Sequence, residues 1–316
     1  MQAIEATTQM KHLAFFDFTE DPFRLTPDRD FFFPSSNHTS LSEVIRFGLH
    51  QGEGFIIILG EVGTGKTMLL RFLMSEMTDQ FETAFLISPH LTPKQLLLAI
   101  LADIGVEKKI NNKHSLDYLL TVLNDYLYEL SRSEKRLLVV IDEAQNLPEQ
   151  SLEQLRLLSN FESDKQKWLQ ILLVGQPELR EKIEKPSLRQ LLQRVTVMET
   201  LNPLSKTEMF QYINFRLNKA GRGDLVLDNK TTRSLWRFTH GVPRLINKLM
   251  NRSLLVAYAC QSQGFNPKII KEAAESLNMN RFDKTFWLRR LPWILTATLL
   301  VAIIIWVLSS KQFSGF

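Results

Sequence analysis

Three glycines, a lysine and two threonines are gathered in one short stretch, Gly60-Glu61-Val62-Gly63-Thr64-Gly65-Lys66-Thr67. It matches GxxxxGK[ST] in full. It follows an apolar run and opens a helical pattern, the context in which that spacing makes a phosphate loop. Glycines let the backbone wrap an anion so that successive N–H groups point inward. A helix opening near Lys66 adds the positive end of its dipole. The expected ligand is ATP with Mg²⁺. The backbone from Gly60 to Met68 would cradle the phosphates, Lys66 would reach the β- and γ-phosphates, and the Thr67 hydroxyl would bind the metal.

A second stretch supplies carboxylates. Leu137-Leu138-Val139-Val140-Ile141 is apolar and ends in Asp142-Glu143. Ligands of open α/β sheets bind at the carboxyl ends of the strands. Asp142 is therefore expected to hold Mg²⁺ directly or through water, and Glu143 to polarise the attacking water. A second carboxylate points to hydrolysis rather than binding alone.

Four more polar residues fit a template in which the nucleotide lies between neighbouring subunits, so a homo-oligomer of ring or hexamer-like form is expected. Gln176 directly follows the run LQILLVG, beside the expected γ-phosphate; a turn residue is the plainer reading. Arg189 and Arg194 lie in LRQLLQRV, after the last sheet element legible in the sequence. Either could reach into the next subunit and stabilise transition-state charge, with Arg194 favoured, or form a surface ion pair. Arg244, in Gly-Val-Pro-Arg at the start of a helix, would touch the nucleotide from a second domain.

These residues need elements to hold them. Apolar runs at Gly54–Leu59, Thr83–Ser88, Arg136–Asp142 and Leu169–Gly175 predict strands. They alternate with helical periodicity at Met68–Met77, after Pro93, at Ser115–Ser133 with Ser115 as N-cap, and at Leu152–Phe161. That order implies an α/β fold with a parallel sheet covered by helices. Strand signals stop after Val195–Ser205. The expected division is an N-terminal segment at 1–34 packing on the core, a nucleotide-binding core at 35–202 and a helical lid at 203–279.

The net charge of +4 does not belong to that body. Arg281, Lys284, Arg289, Arg290 and Lys311, against Asp283, carry all of it, so residues 1–280 are neutral. Bulk charge therefore gives nucleic-acid binding no support. The excess flanks an uncharged apolar stretch, Leu291–Leu308, about the length a bilayer core needs. A basic linker at 280–290, a single transmembrane helix at 291–309 and a short tail at 310–316 are expected. The positive-inside rule puts the body in the cytoplasm and the C-terminus outside. The start lacks a secretory signal pattern. The single cysteine, Cys260, excludes an internal disulfide, and the six histidines show no metal-ligand spacing.

Together the stretches DPFRLTPDRDFFFPSSNH, GFIIILGEVGTGKT, VVIDEAQNL, LEQLRLLSNFESDKQK, LQILLVGQPELR, LRQLLQRV and GVPRLINKL resemble the AAA+ ATPases. More specifically they are similar to the ExeA/GspA-type bacterial secretion ATPases, over about residues 15–275. The resemblance implies an AAA+ P-loop core with a helical lid. It also implies a role in assembling envelope machinery, type II secretion or pili, with an inner-membrane partner protein. By the same resemblance, Phe23, Pro27 and the Phe31–Pro34 region would frame the adenine; packing of the N-terminal segment is the equal alternative. Some members continue into a cell-wall-binding domain. With only Ser309–Phe316 after the apolar stretch, direct peptidoglycan contact is not expected here. Competing readings are a nucleotide-dependent DNA adaptor of the transposition-helper type and a non-catalytic ATP switch.

Overall fold

The computed structural model describes residues 11–26, 28–87, 90–106, 113–162 and 167–279. Its strands are β1 (Phe55–Leu59), β2 (Phe81–Ile87), β3 (Arg136–Asp142), β4 (Leu169–Gly175) and β5 (Val195–Thr200). Helices α1 (Ser36–His50), α2 (Lys66–Glu76), α3 (Pro93–Asp103), α4 (Leu116–Arg132), α5 (Glu149–Leu158), α6 (Glu178–Ile183) and α7 (Arg189–Leu192) intervene. Helices α8 (Lys206–Lys219), α9 (Asn229–Thr239), α10 (Pro243–Ala259) and α11 (Pro267–Ser276) follow.

The strands form one parallel sheet in the order β2-β3-β4-β1-β5. β1, β3 and β4 are apolar on both faces because helices cover both. Alternate side chains divide between two cores. Ile56, Ile58, Val140 and Leu172 pack against Leu41 and Ile45 of α1 and Leu69 and Leu73 of α2. Ile57, Val139, Ile141 and Ile171 pack against Leu97 and Ile100 of α3, Leu123 of α4 and Leu155 of α5. Ser115 caps α4, its Oγ accepting the Tyr118 N–H at 3.2 Å.

Two expectations need correction. β5 follows Arg189 and Arg194, so these arginines precede the last sheet element. β5 is an edge strand with Thr196 and Glu199 facing solvent, so it lacks the continuous apolar run that marks the others. The N-terminal segment also sits differently. Phe16, Phe18 and Phe23 are buried with Ile213, Leu217, Leu249 and Leu254 of the helical unit, while Phe32 stacks on Phe72 of α2. Residues 11–26 and 28–34 thus contact the helical unit as well as the α/β core.

The junction between sheet and helical unit is tight. Leu204 N–H donates to Gly241 O at 3.0 Å. Glu208, the third residue of α8, caps its own helix by accepting the Ser205 N–H at 2.9 Å. Its other oxygen accepts the Ser36 N–H at 3.0 Å and the Ser36 hydroxyl at 2.6 Å, at the start of α1. Burial would push this carboxyl up, but the bonds from Ser36 and Ser205 prevail and lower its pKa to about 2.

Among the described residues no helix is long and apolar enough to cross a membrane. The linker at 280–290, the apolar segment at 291–309 and the tail at 310–316 lie outside them.

Gly241 has φ +79°, and a Cβ there would stand 1.9 Å from Leu204 O. Gly241→Ala is therefore expected to destabilise the fold by about 2 kcal/mol or more. A denaturant midpoint equal to the wild type would contradict this.

Candidate functional site: a phosphate loop facing a helical unit

β1 ends at Leu59, and the chain turns through Gly60–Gly65 into α2. Gly63 and Gly65 have φ of +83° and +105°, a region that glycine enters at little cost. Gly60 is needed for a different reason: a Cβ would fall 2.9 Å from Leu201 O. Lys66 is buried, and its Nζ donates to Gly60 O at 2.8 Å and Glu61 O at 3.0 Å. Burial lowers its pKa, against the attraction of Glu143, Asp142, Glu61 and Glu178. The loop's own carbonyls thus hold an ammonium where an anion would be met.

The register aligns Leu59 with Gly175 and Ile87 with Asp142. The ends of β3, β4 and β1 therefore meet at one edge of the sheet. Thr67 Oγ1 donates to Asp142 Oδ2 at 2.5 Å, and Asp142 Oδ1 accepts the Glu143 N–H at 2.9 Å. Hard divalent cations take oxygen ligands, and a phosphate-bound Mg²⁺ needs only one or two from the protein. The Thr67 hydroxyl and Asp142 carboxylate fit that demand.

Glu143 has a left-handed backbone, φ 55°. Its Oε2 accepts from Gln145 Nε2 at 2.7 Å and from Gln176 Nε2 at 3.0 Å. Burial raises its pKa, but the two amides and the Lys66 ammonium outweigh burial and hold the carboxyl below its ordinary range. Gln176 is thus brought to Glu143.

Across the loop, the N-terminus of α10 closes one side. The Arg244 N–H donates to Gly63 O at 3.1 Å, and a Cβ on Gly63 would come within 2.6 Å of the Arg244 Cβ. The Arg244 side chain is exposed at the mouth of a cavity of about 350 Å³. The cavity runs from the loop, past Glu143, to Phe31, His38, Tyr212 and Arg216. Phe32 and Phe33 also line it. Phe23 is buried in the helical cluster instead, and Pro27 lies outside the described residues.

The structure does not bring Arg189 and Arg194 to this site. Val195 pairs with Phe55, at the end of β1 away from the loop. Five residues of strand separate the two edges, roughly 16 Å. The Arg194 guanidinium donates to Ser159 Oγ at 3.3 Å, and Arg189 is exposed.

Residues 49–183 match the AAA domain family. The chain is 37% identical over 302 residues to General secretion pathway protein A of Aeromonas hydrophila, taking in 96% of this chain and 54% of that protein. The chain belongs to the GspA-type AAA+ family. It spans about half the length of that curated relative. Its fold is also that of the Aeropyrum pernix ORC1 protein solved in complex with DNA, with TM-score 0.59 and 17% identity over 82% of this chain and 70% of that one. Cdc6p of Pyrobaculum aerophilum gives TM-score 0.57 and 17% identity over 84% and 70%.

This GspA-type site contains residues that no motif announces. Gln145 touches Glu143. Arg216 is buried, with its guanidinium 5.1 Å from the Phe31 and Tyr212 rings. His38 is buried beside Gly65, where a Cβ would be 3.1 Å from its Nε2, and its Nδ1 is 2.6 Å from Ser35 Oγ. A polar amide two residues past Asp-Glu was the one available sequence signal.

Burial lowers the His38 pKa from 6.5 to about 4, against the opposing charge of Glu208. The unfolded chain then binds the proton first on acidification, so stability present above the ordinary histidine value is lost as pH falls towards 4. Wild-type protein is expected to lose up to about 3 kcal/mol more than His38→Gln between pH 7 and 4. Parallel stability curves from denaturant titrations at those pH values would refute this.

Proposed function

We propose that this GspA-type protein is a membrane-anchored ATP hydrolase that uses Mg²⁺-ATP to assemble or remodel an envelope complex. The observation that carries hydrolysis is the Glu143 carboxylate, held by two amides beside the Thr67–Asp142 pair and the Lys66 ammonium. A site that only bound nucleotide would not need that carboxylate.

In this reading the N–H groups from Gly60 to Met68 bind the phosphates, and Lys66 exchanges Gly60 and Glu61 carbonyls for β- and γ-oxygens. Bound Mg²⁺, held through Thr67 and Asp142, would neutralise charge on the transferred phosphoryl group. Glu143 accepts a proton from a water molecule. The water oxygen bonds to the γ-phosphorus, and the bridging oxygen leaves with ADP. Gln176 orients Glu143, and Arg244 senses the nucleotide from the helical unit.

Because Arg189 and Arg194 lie by the far edge of their own sheet, any role at a nucleotide would be played in a neighbouring copy. That supports a ring-like homo-oligomer, with Arg194 the favoured finger. The proposed division is an N-terminal segment at 1–34, a core at 35–202, a lid at 203–279 and a basic linker at 280–290. A transmembrane helix at 291–309 and an outer tail at 310–316 complete it. The likeness to General secretion pathway protein A supports secretion machinery as client; type II secretion or pilus-type machinery, with an inner-membrane partner, is the finer reading proposed. The body would face the cytoplasm.

Glu143→Gln is expected to lower lipid-supported, Mg²⁺-dependent phosphate release at least about a hundredfold; unchanged turnover would remove Glu143 as the base. Separately inactive Lys66→Ala and Arg194→Ala proteins should regain turnover when mixed, since some interfaces then carry both intact residues. No recovery would end the role of Arg194 in the neighbouring site. Truncation after residue 280 should keep ATP turnover and lose sedimentation with membranes.

A further inference from the structure

Gln145 lies in a 3-10 turn, Ala144–Asn146, directly after Glu143. Both ends of its amide are used. Oε1 accepts the Gln176 backbone N–H at 3.1 Å, and Nε2 donates to Glu143 Oε2 at 2.7 Å. The first bond decides the second. A flipped amide would set its oxygen against a carboxylate and its NH₂ against a backbone N–H.

Three surrounding features make this placement specific. Gly175 leaves the space, since a Cβ there would fall 2.9 Å from Gln145 Oε1. Lys182 of α6 fastens the turn, its Nζ donating to Gln145 O at 2.6 Å and Leu147 O at 2.8 Å. Glu143 itself occupies a left-handed backbone conformation that surrounding contacts must maintain. Both amide donors converge on Oε2, which leaves Oε1 as the oxygen available to take the proton from water.

We propose that Gln145 is the positioning residue that selects the working oxygen of Glu143, with Lys182 anchoring the turn that carries it. This rests on the reading of Glu143 as the base in ATP hydrolysis. The Gln145 amide is spent on the Glu143 carboxylate and the Gln176 N–H, so its loss is expected to act on turnover and leave binding intact.

The test uses the full-length chain with lipid, Mg²⁺ and ATP, and a fluorescent ATP analogue for affinity. Gln145→Met keeps the side-chain length and removes both hydrogen bonds. It should lower kcat about ten- to a hundredfold, with KM and analogue affinity within about twofold of wild type. Lys182→Met should lower kcat about three- to tenfold with affinity likewise kept. In a Glu143→Gln background, Gln145→Met should change residual turnover by no more than about twofold, because nothing remains to position.

Wild-type kcat in Gln145→Met overturns the proposal. So does a loss of analogue affinity as large as the loss of turnover, or the same fold-loss in both backgrounds; each marks a merely structural residue. Failure of the underlying reading appears elsewhere, as full turnover by Glu143→Gln alone.

Discussion

Parallel register is the constraint on which this molecule turns. Because all five strands run the same way, their carboxyl ends lie on one edge, and pairing of β3, β4 and β1 puts the residues after Ile141, Val174 and Leu59 side by side. A slip of one residue would reverse which side chains face each core. It would also draw Asp142 away from Thr67. The apolar packing on both faces therefore fixes the polar geometry at the edge.

The helical unit meets that edge through backbone as much as through side chains. Arg244 N–H bonds the phosphate-loop carbonyl of Gly63, and both Gly63 and Gly241 lie where a methyl group would collide. Their small size lets two cores, each with its own apolar cluster, touch at the loop. Arg216 adds a buried cation between aromatic rings, its Nη1 donating to Pro22 O at 2.9 Å. The N-terminal segment is thus tied to the helices that face the cavity.

How much of this could be read from sequence depended on how local the cause was. The loop at Gly60–Thr67 and the apolar strand ending in Asp142-Glu143 declare themselves, because spacing and burial act within a few residues. β5 was faint, since an edge strand with solvent-facing Thr196 and Glu199 carries no continuous apolar run. Gln145 offered only a polar amide two residues past Asp142-Glu143, and His38 and Arg216 were silent. Each gains its meaning from a partner brought near by tertiary packing: Gln176 from β4, Gly65 from the loop, Phe31 from the N-terminal segment. The aromatic N-terminal residues misled for a related reason. Composition marks them as buried but does not say in which of two cores.

The Glu208 carboxylate gives the two units a shared lock. One oxygen serves the start of α8 and the other the start of α1, so one side chain satisfies orphan N–H groups of two helices that belong to different units. Turning the helical unit away from α1 would strip the first turn of that helix of its acceptor, so the two helix starts are coupled through one side chain. With its pKa lowered to about 2 by those bonds, the carboxylate stays charged throughout the physiological range, so ordinary acidity does not release it.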